Sequence, residues 1–140
     1  MSFEDLPEKW DHLPLTDPRL AADVVDLFLS NSDRLEDSLL ILMLDDAHRL
    51  LQPAVMGGVP WRCTTLERQR TLESLADLPV PAMLLAFSSP YPLPADVLWR
   101  WRRDVARLCA DGGPEVTEVF AVTPSSVVRC PGAAPPAVAS

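Results

Sequence analysis

Two stretches of the chain have no polar face. Ser38 to Leu44 reads SLLILML, and Ala82 to Phe87 reads AMLLAF. Both are of strand length, and an uninterrupted apolar run of that size predicts a central strand covered on both sides. Two other stretches show helical spacing. After Thr16-Asp17-Pro18, an oxygen-bearing cap with proline at the first helical position, Leu20, Val24, Leu27 and Phe28 recur every three or four residues. Asp23 and Asp26 are expected to face water, and Ser30-Asn31-Ser32-Asp33 to end the helix. From Ala95 to Ala110, Leu98, Trp101, Val105, Leu108 and Cys109 mark one side, with Arg100, Arg103, Asp104 and Arg107 expected on the other. Asp111-Gly112-Gly113-Pro114 stops that helix.

Weaker signals fill the gaps. Asp45 to His48 makes a turn, and Arg49 to Met56 returns as an antiparallel strand in which Pro53 marks an edge or a bulge. Gly57-Gly58 breaks the chain. Thr64 and Glu67 form a capping box for a short helix through Ala76, closed by Pro79. Glu115 to Val122 alternates as a strand, Thr123 to Ser126 turns, and Val127 to Cys130 is a short last strand. The order is helix, strand, strand, helix, strand, helix, strand, strand. It predicts a single α/β domain over residues 16–130, with a central mixed sheet flanked by helices. Residues 1–15 read as an acidic arm whose Trp10 packs on the domain, and residues 131–140 as a disordered Ala/Pro tail.

Composition adds limits. At 140 residues with 48% apolar and 23% charged content, the chain is a globular protein large enough for a substantial core. No window has the roughly 18 uninterrupted apolar residues of a membrane helix. The acidic start MSFEDLPEKW lacks the basic-then-apolar form of an export signal, so a cytoplasmic location is expected. The net charge of −8 sits in residues 1–60, where twelve acids face Lys9, Arg19, Arg34 and Arg49; residues 61–140 balance eight acids with eight arginines. An acidic chain repels phosphate backbones, which argues against nucleic acid as a partner. Cys63, Cys109 and Cys130 form neither a C-x-x-C pair nor a disulfide framework and are expected to be reduced thiols.

Candidate chemistry gathers between Val80 and Trp101, where a strand enters a Ser/Pro elbow and then a helix, the arrangement in which α/β folds place their sites. Ser88 and Ser89 could serve as nucleophiles only with an activated base, and no G-x-S-x-G elbow frames them. Asp96 suits a helix N-terminus, where the dipole favours a carboxylate. Asp45 and Asp46 suit a turn, and His48 beside Arg49 reads as exposed. Trp99 with Arg100, Arg102, Arg103 and Arg107 is the least ordinary group: these are the residue types of interface hot spots, although Trp99 stacked under an arginine on the domain's own surface would look the same in sequence.

With its elements in order, the chain resembles a RadC-type member of the JAB/MPN (JAMM) family. Asp37-SLLILML-Asp45 followed by Ala47-His48-Arg49-Leu50 falls on that family's opening strand and turn, with aspartate in place of a leading glutamate. AMLLA-Phe87-Ser88-Ser89-Pro90 and then Leu93-Pro94-Ala95-Asp96 fall on its Ala-His-x-His-Pro strand end and Pro-x-x-Asp helix start, across a loop shorter than the family's. The resemblance implies a three-layer, cytidine-deaminase-like fold and a zinc site of two histidines and an aspartate with a glutamate that activates water. Phe87 and Ser89 stand at the histidine positions, and Asp37 is one methylene shorter than glutamate. The expectation is a catalytically inactive member with a vestigial pocket of Asp37, Phe87, Ser88, Ser89 and Asp96, no metal and no cofactor. It would act as a protein-interaction or regulatory module with a protein partner or in self-association. Two alternatives stand beside it: a hydrolase or nuclease with rearranged chemistry drawn from Asp37, His48, Ser88 and Asp96, or a small-ligand pocket at the elbow.

Overall fold

In the computed structural model, which describes residues 9–130, the chain is a five-stranded mixed sheet with helices on both faces. The elements run α1 (Pro18–Phe28), α2 (Asn31–Arg34), β1 (Ser38–Leu44), β2 (Leu50–Gly57), α3 (Thr65–Ala76), β3 (Ala82–Ser88), α4 (Ala95–Cys109), β4 (Glu115–Thr123) and β5 (Ser126–Arg129). The strand order is β2-β1-β3-β4-β5. β1 pairs antiparallel with both β2 and β3, β3 pairs parallel with β4 through the α4 crossover, and β5 returns antiparallel on β4.

The two apolar runs are the interior strands β1 and β3, and their side chains alternate between two cores. Leu40, Leu42, Leu44, Leu84 and Ala86 turn to the α1 face and pack with Val24, Val25 and Leu29. Leu39, Ile41, Met83, Leu85 and Phe87 turn to the α3/α4 face and pack with Leu72, Leu75, Trp101 and Val105. The antiparallel neighbours of β1 fix its register over seven residues, from Ser38 opposite Ser88 to Leu44 opposite Ala82.

Local chemistry sets the helix ends. The Asp17 side chain accepts from Leu20 N at 3.1 Å, and Pro18 occupies the first helical position of α1. Thr64 and Glu67 form the full capping box of α3, which ends at Ala76 as the sequence predicts. Ser30 and Asp33 do more than stop α1: they form a second capping box and start the one-turn α2. After α4, Gly112 has φ +87°, and a Cβ on Gly113 would lie 2.9 Å from the Cys109 Cα and 3.0 Å from the Ala76 carbonyl oxygen. Glycine is therefore required where the ends of α3 and α4 meet.

Two acids depart from the sequence expectation. Asp23 is buried (7% exposed) rather than facing water, and Asp104 (5% exposed) turns into the protein between α3 and α4. Asp26 is partly covered and pairs with Arg34, itself buried and also donating to Leu29 O. Trp10 packs edge-on against Phe28 with ring centroids 6.0 Å apart, as anticipated for that part of the arm. Residues 1–8 and the expected Ala/Pro tail lie outside the described residues. β2 forms one edge of the sheet among the described residues; it has no charged side chain, exposes Leu51 and Val55, and carries Pro53 opposite Leu42.

Candidate functional site

The elbow after β3 divides into two environments because alternate residues face opposite sides of the sheet. Phe87 points to the α3/α4 side and is fully buried. Its ring centroid lies 5.0 Å from that of Trp61 and 6.3 Å from that of Trp101, and the two tryptophans stand 4.8 Å apart edge-on. Trp61 Nε1 donates to the Ser88 carbonyl oxygen at 3.0 Å, and Trp101 Nε1 donates to the Trp61 carbonyl oxygen at 2.8 Å. The indole donors thus lock the strand end, the β2–α3 connection and α4 into one unit. Ser88 is buried with its hydroxyl unpartnered among the described residues.

Ser89 and Asp37 do come together. Ser89 N donates to Val122 O at 3.0 Å, which extends the β3–β4 ladder by one residue, and its hydroxyl donates to Asp37 Oδ1 at 3.1 Å. Asp37 immediately precedes β1, and its carbonyl oxygen accepts from Val59 N at 3.0 Å. Two residues 52 apart in sequence are joined because Ser38 and Ser88 are register partners. His48 belongs to neither group. It follows the other end of β1, about 20 Å away at the rise of a seven-residue strand. There, at φ 62° and half-buried, its Nε2 lies 3.3 Å from a Glu115 carboxylate oxygen. Asp45 closes that turn: its carboxylate accepts from the backbone of Arg49 and Ala47 and from the Arg49 guanidinium, which together hold it below the usual carboxylate range.

Asp96 opens a third environment. In the first turn of α4 it sits 3.6 Å from Arg100, one turn on, and both line a cleft of about 350 Å³ with Arg62, Cys63, Arg68 and Trp61. Asp37, Phe87, Ser88 and Ser89 are not among the residues that line it. The expected five-residue vestigial pocket is therefore divided between a hydroxyl–carboxylate pair, an aromatic plug and this arginine cleft. The cleft escaped the sequence reading, although Trp61-Arg62-Cys63 between a glycine pair and a capping box was a visible signal.

The arginines of α4 also separate. Arg103 stacks over Trp99 with its Cζ 4.8 Å from the ring centroid, and its Nε lies 3.0 Å from Asp104 Oδ1. Arg102 is a structural residue rather than a free surface cation: it is partly buried, donates to the Cys130 carbonyl oxygen at 2.8 Å and approaches Glu118. Arg100 and Arg107 are exposed, and Trp99 is half-buried. Asp104 is tied to Arg68 by a 2.6 Å hydrogen bond; burial works against its charged form, but the Arg68 and Arg103 hydrogen bonds outweigh this and lower its pKa. Burial pushes all three thiols up, Cys130 to about 11, so none is a ready nucleophile.

The side chains at the positions that the resemblance would align with zinc ligands do not suit zinc: Phe87 offers a ring and Ser89 a hydroxyl, and Asp96 lies in a cleft that neither Asp37 nor Ser89 lines. Among the described residues no three His, Cys, Asp or Glu side chains are grouped to hold a metal ion, and no helix is long and apolar enough to cross a membrane. Comparison with protein-family models, curated proteins and solved structures gives no match.

Proposed function

We propose that this chain is a degenerate RadC-like, JAB/MPN-type domain that has lost hydrolytic chemistry and works as a cytoplasmic protein-interaction or regulatory module. The observation that carries the reading is Phe87. At the position that the resemblance gives to a zinc-ligating histidine it supplies a fully buried ring, packed against the touching pair Trp61 and Trp101. A core contact replaces a ligand, and the neighbouring Ser89–Asp37 pair becomes a strap between β1 and β3. Support for the reading comes from the order of elements and from the contact of Ser89 with Asp37, residues that the resemblance aligns with a zinc ligand and with the water-activating glutamate.

The surface favoured for a partner is the outward side of α4, where Trp99, Arg103, Arg100 and Arg107 combine a half-covered indole with guanidinium groups. Arg103 holds the indole in a fixed orientation, which lowers the entropy lost on docking. A rearranged hydrolase is less well supported, because His48 is a strand length away from both serine hydroxyls. The test has two arms. Protein purified without chelator is assayed for zinc, and stoichiometric metal would overturn the reading. Affinity capture from the native cell is repeated with Trp99→Ala; loss of a specific partner, or of self-association in sedimentation, is expected, and an unchanged partner set removes α4 as the surface.

A further inference from the structure

The cleft beside the start of α4 has a composition that the interaction reading does not use. Its walls are the β2–α3 connection, which brings Arg62 and Cys63, and the first two turns of α4, which bring Asp96, Val97 and Arg100. Its floor is Trp61, Trp101 and Arg68, all buried. Three guanidinium groups from different elements therefore converge on one concavity in a chain whose net charge is −8.

These three are not equivalent. Arg68 is 4% exposed and committed to Asp104, so it is a rigid donor whose charge is largely matched. Arg62 is exposed and has neither an ion pair nor a hydrogen bond among the described residues. Arg100 has only Asp96, at 3.6 Å, with half of the Arg100 side chain in water. Such a long, solvent-screened pair is easily exchanged for a better acceptor. Pro94 caps α4 without any side-chain acceptor, so the positive end of a 15-residue helix also opens here.

We propose that this cleft binds a small phosphorylated molecule, with Arg62 and Arg100 gripping the phosphoryl group. A phosphoryl dianion presents oxygens in several directions and can accept paired N–H donors from two guanidiniums at once, a geometry for which arginine is suited and lysine is not. A volume of about 350 Å³ lies at the small end of ligand pockets, so the phosphate carries a compact organic body against Pro94 and Val97. A nucleic-acid backbone does not fit this chemistry: it needs a continuous basic track, and the acidic residues elsewhere repel it. When the phosphoryl group takes Arg100, the released Asp96 carboxylate is left at the cleft to accept a hydrogen bond from a ligand hydroxyl. The proposal does not depend on the family reading.

The intact protein is titrated with inorganic phosphate and with glycerol 3-phosphate, at ionic strength held constant with sodium chloride. Thermal midpoint and tryptophan fluorescence are followed, since Trp61 and Trp101 form the cleft floor. Saturable binding is expected, tighter for the monoester than for inorganic phosphate. Arg62→Gln and Arg100→Gln each weaken it tenfold or more, while their midpoints without ligand match that of the unsubstituted protein. Arg70→Gln, on the exposed side of α3, leaves binding unchanged. A response no greater than that to chloride, or one of equal size in Arg62→Gln and Arg100→Gln, overturns the assignment.

Discussion

Arg68 Nε donates to Asp104 Oδ2 at 2.6 Å, and neither side chain is more than 7% exposed. This bond crosses from α3 to α4 between two helices that cover the same face of the sheet. Removing one partner strands the other as a buried charge. Asp104→Ala is therefore expected to lower the unfolding free energy by about 3–5 kcal/mol. The double substitution Arg68→Met, Asp104→Leu should recover most of that loss, because an apolar pair of similar volume has no desolvation penalty. Urea unfolding of the single and double variants decides it; a double variant as unstable as the single one would refute the account.

The same pair shapes the acid limb of stability. Burial opposes the Asp104 carboxylate, but hydrogen bonds from Arg68 and Arg103 outweigh it, so the folded-state pKa lies below that of the unfolded chain. The unfolded form takes up the proton first as pH falls. The stabilisation is complete above about pH 4 and is lost as pH drops through the folded value. Urea midpoints measured from neutral pH into the acid range should fall more steeply for the unsubstituted protein than for Asp104→Asn, and parallel curves would contradict the assignment.

An alkaline limb arises from Cys130. Burial raises its folded pKa from 9.0 to about 11, so the unfolded thiol ionises first as pH rises. Its contribution is intact below about pH 9 and disappears as pH approaches 11, the opposite sign to Asp104. Cys130→Ala should flatten the stability curve between those values. In the folded protein, alkylation should reach partly exposed Cys63 before buried Cys109 or Cys130.

Phe87 and Trp99 are both large aromatic residues near the elbow, and they should separate cleanly. Phe87→Ala opens a cavity beside the Trp61–Trp101 pair and is expected to cost about 3–5 kcal/mol with a change in tryptophan emission. Trp99→Ala removes a surface stack with Arg103 and should cost only about 0.5–1 kcal/mol. Chemical denaturation measures both, and comparable losses would mean that Trp99 belongs to the core.

Much of the architecture is legible because its signals are local. The apolar runs at β1 and β3, the Thr64–Glu67 box and the Gly112-Gly113 stop each act within a few residues, and each element lies where those signals place it. What failed depends on distant partners. Asp104 follows Trp101 at three-residue spacing and precedes Val105, so it lies on the buried stripe; its partner Arg68 is 36 residues earlier, beyond the reach of helical periodicity. The same holds for the cleft, since Arg62 and Arg100 belong to elements that become neighbours only when α3 and α4 dock. The Ser89–Asp37 contact has no local signal, since strand alternation alone does not join residues 52 apart.

Among the described residues the outer side of β2 is unpaired, which has a consequence for growth by addition. An uncharged eight-residue edge with Leu51 and Val55 in water offers another extended chain a template for stacking into fibres. Pro53 interrupts its row of backbone donors midway, and it does so at an edge, where a proline harms the native ladder least. One imino acid thus leaves a gap in the row of donors that an added strand would use along this apolar margin.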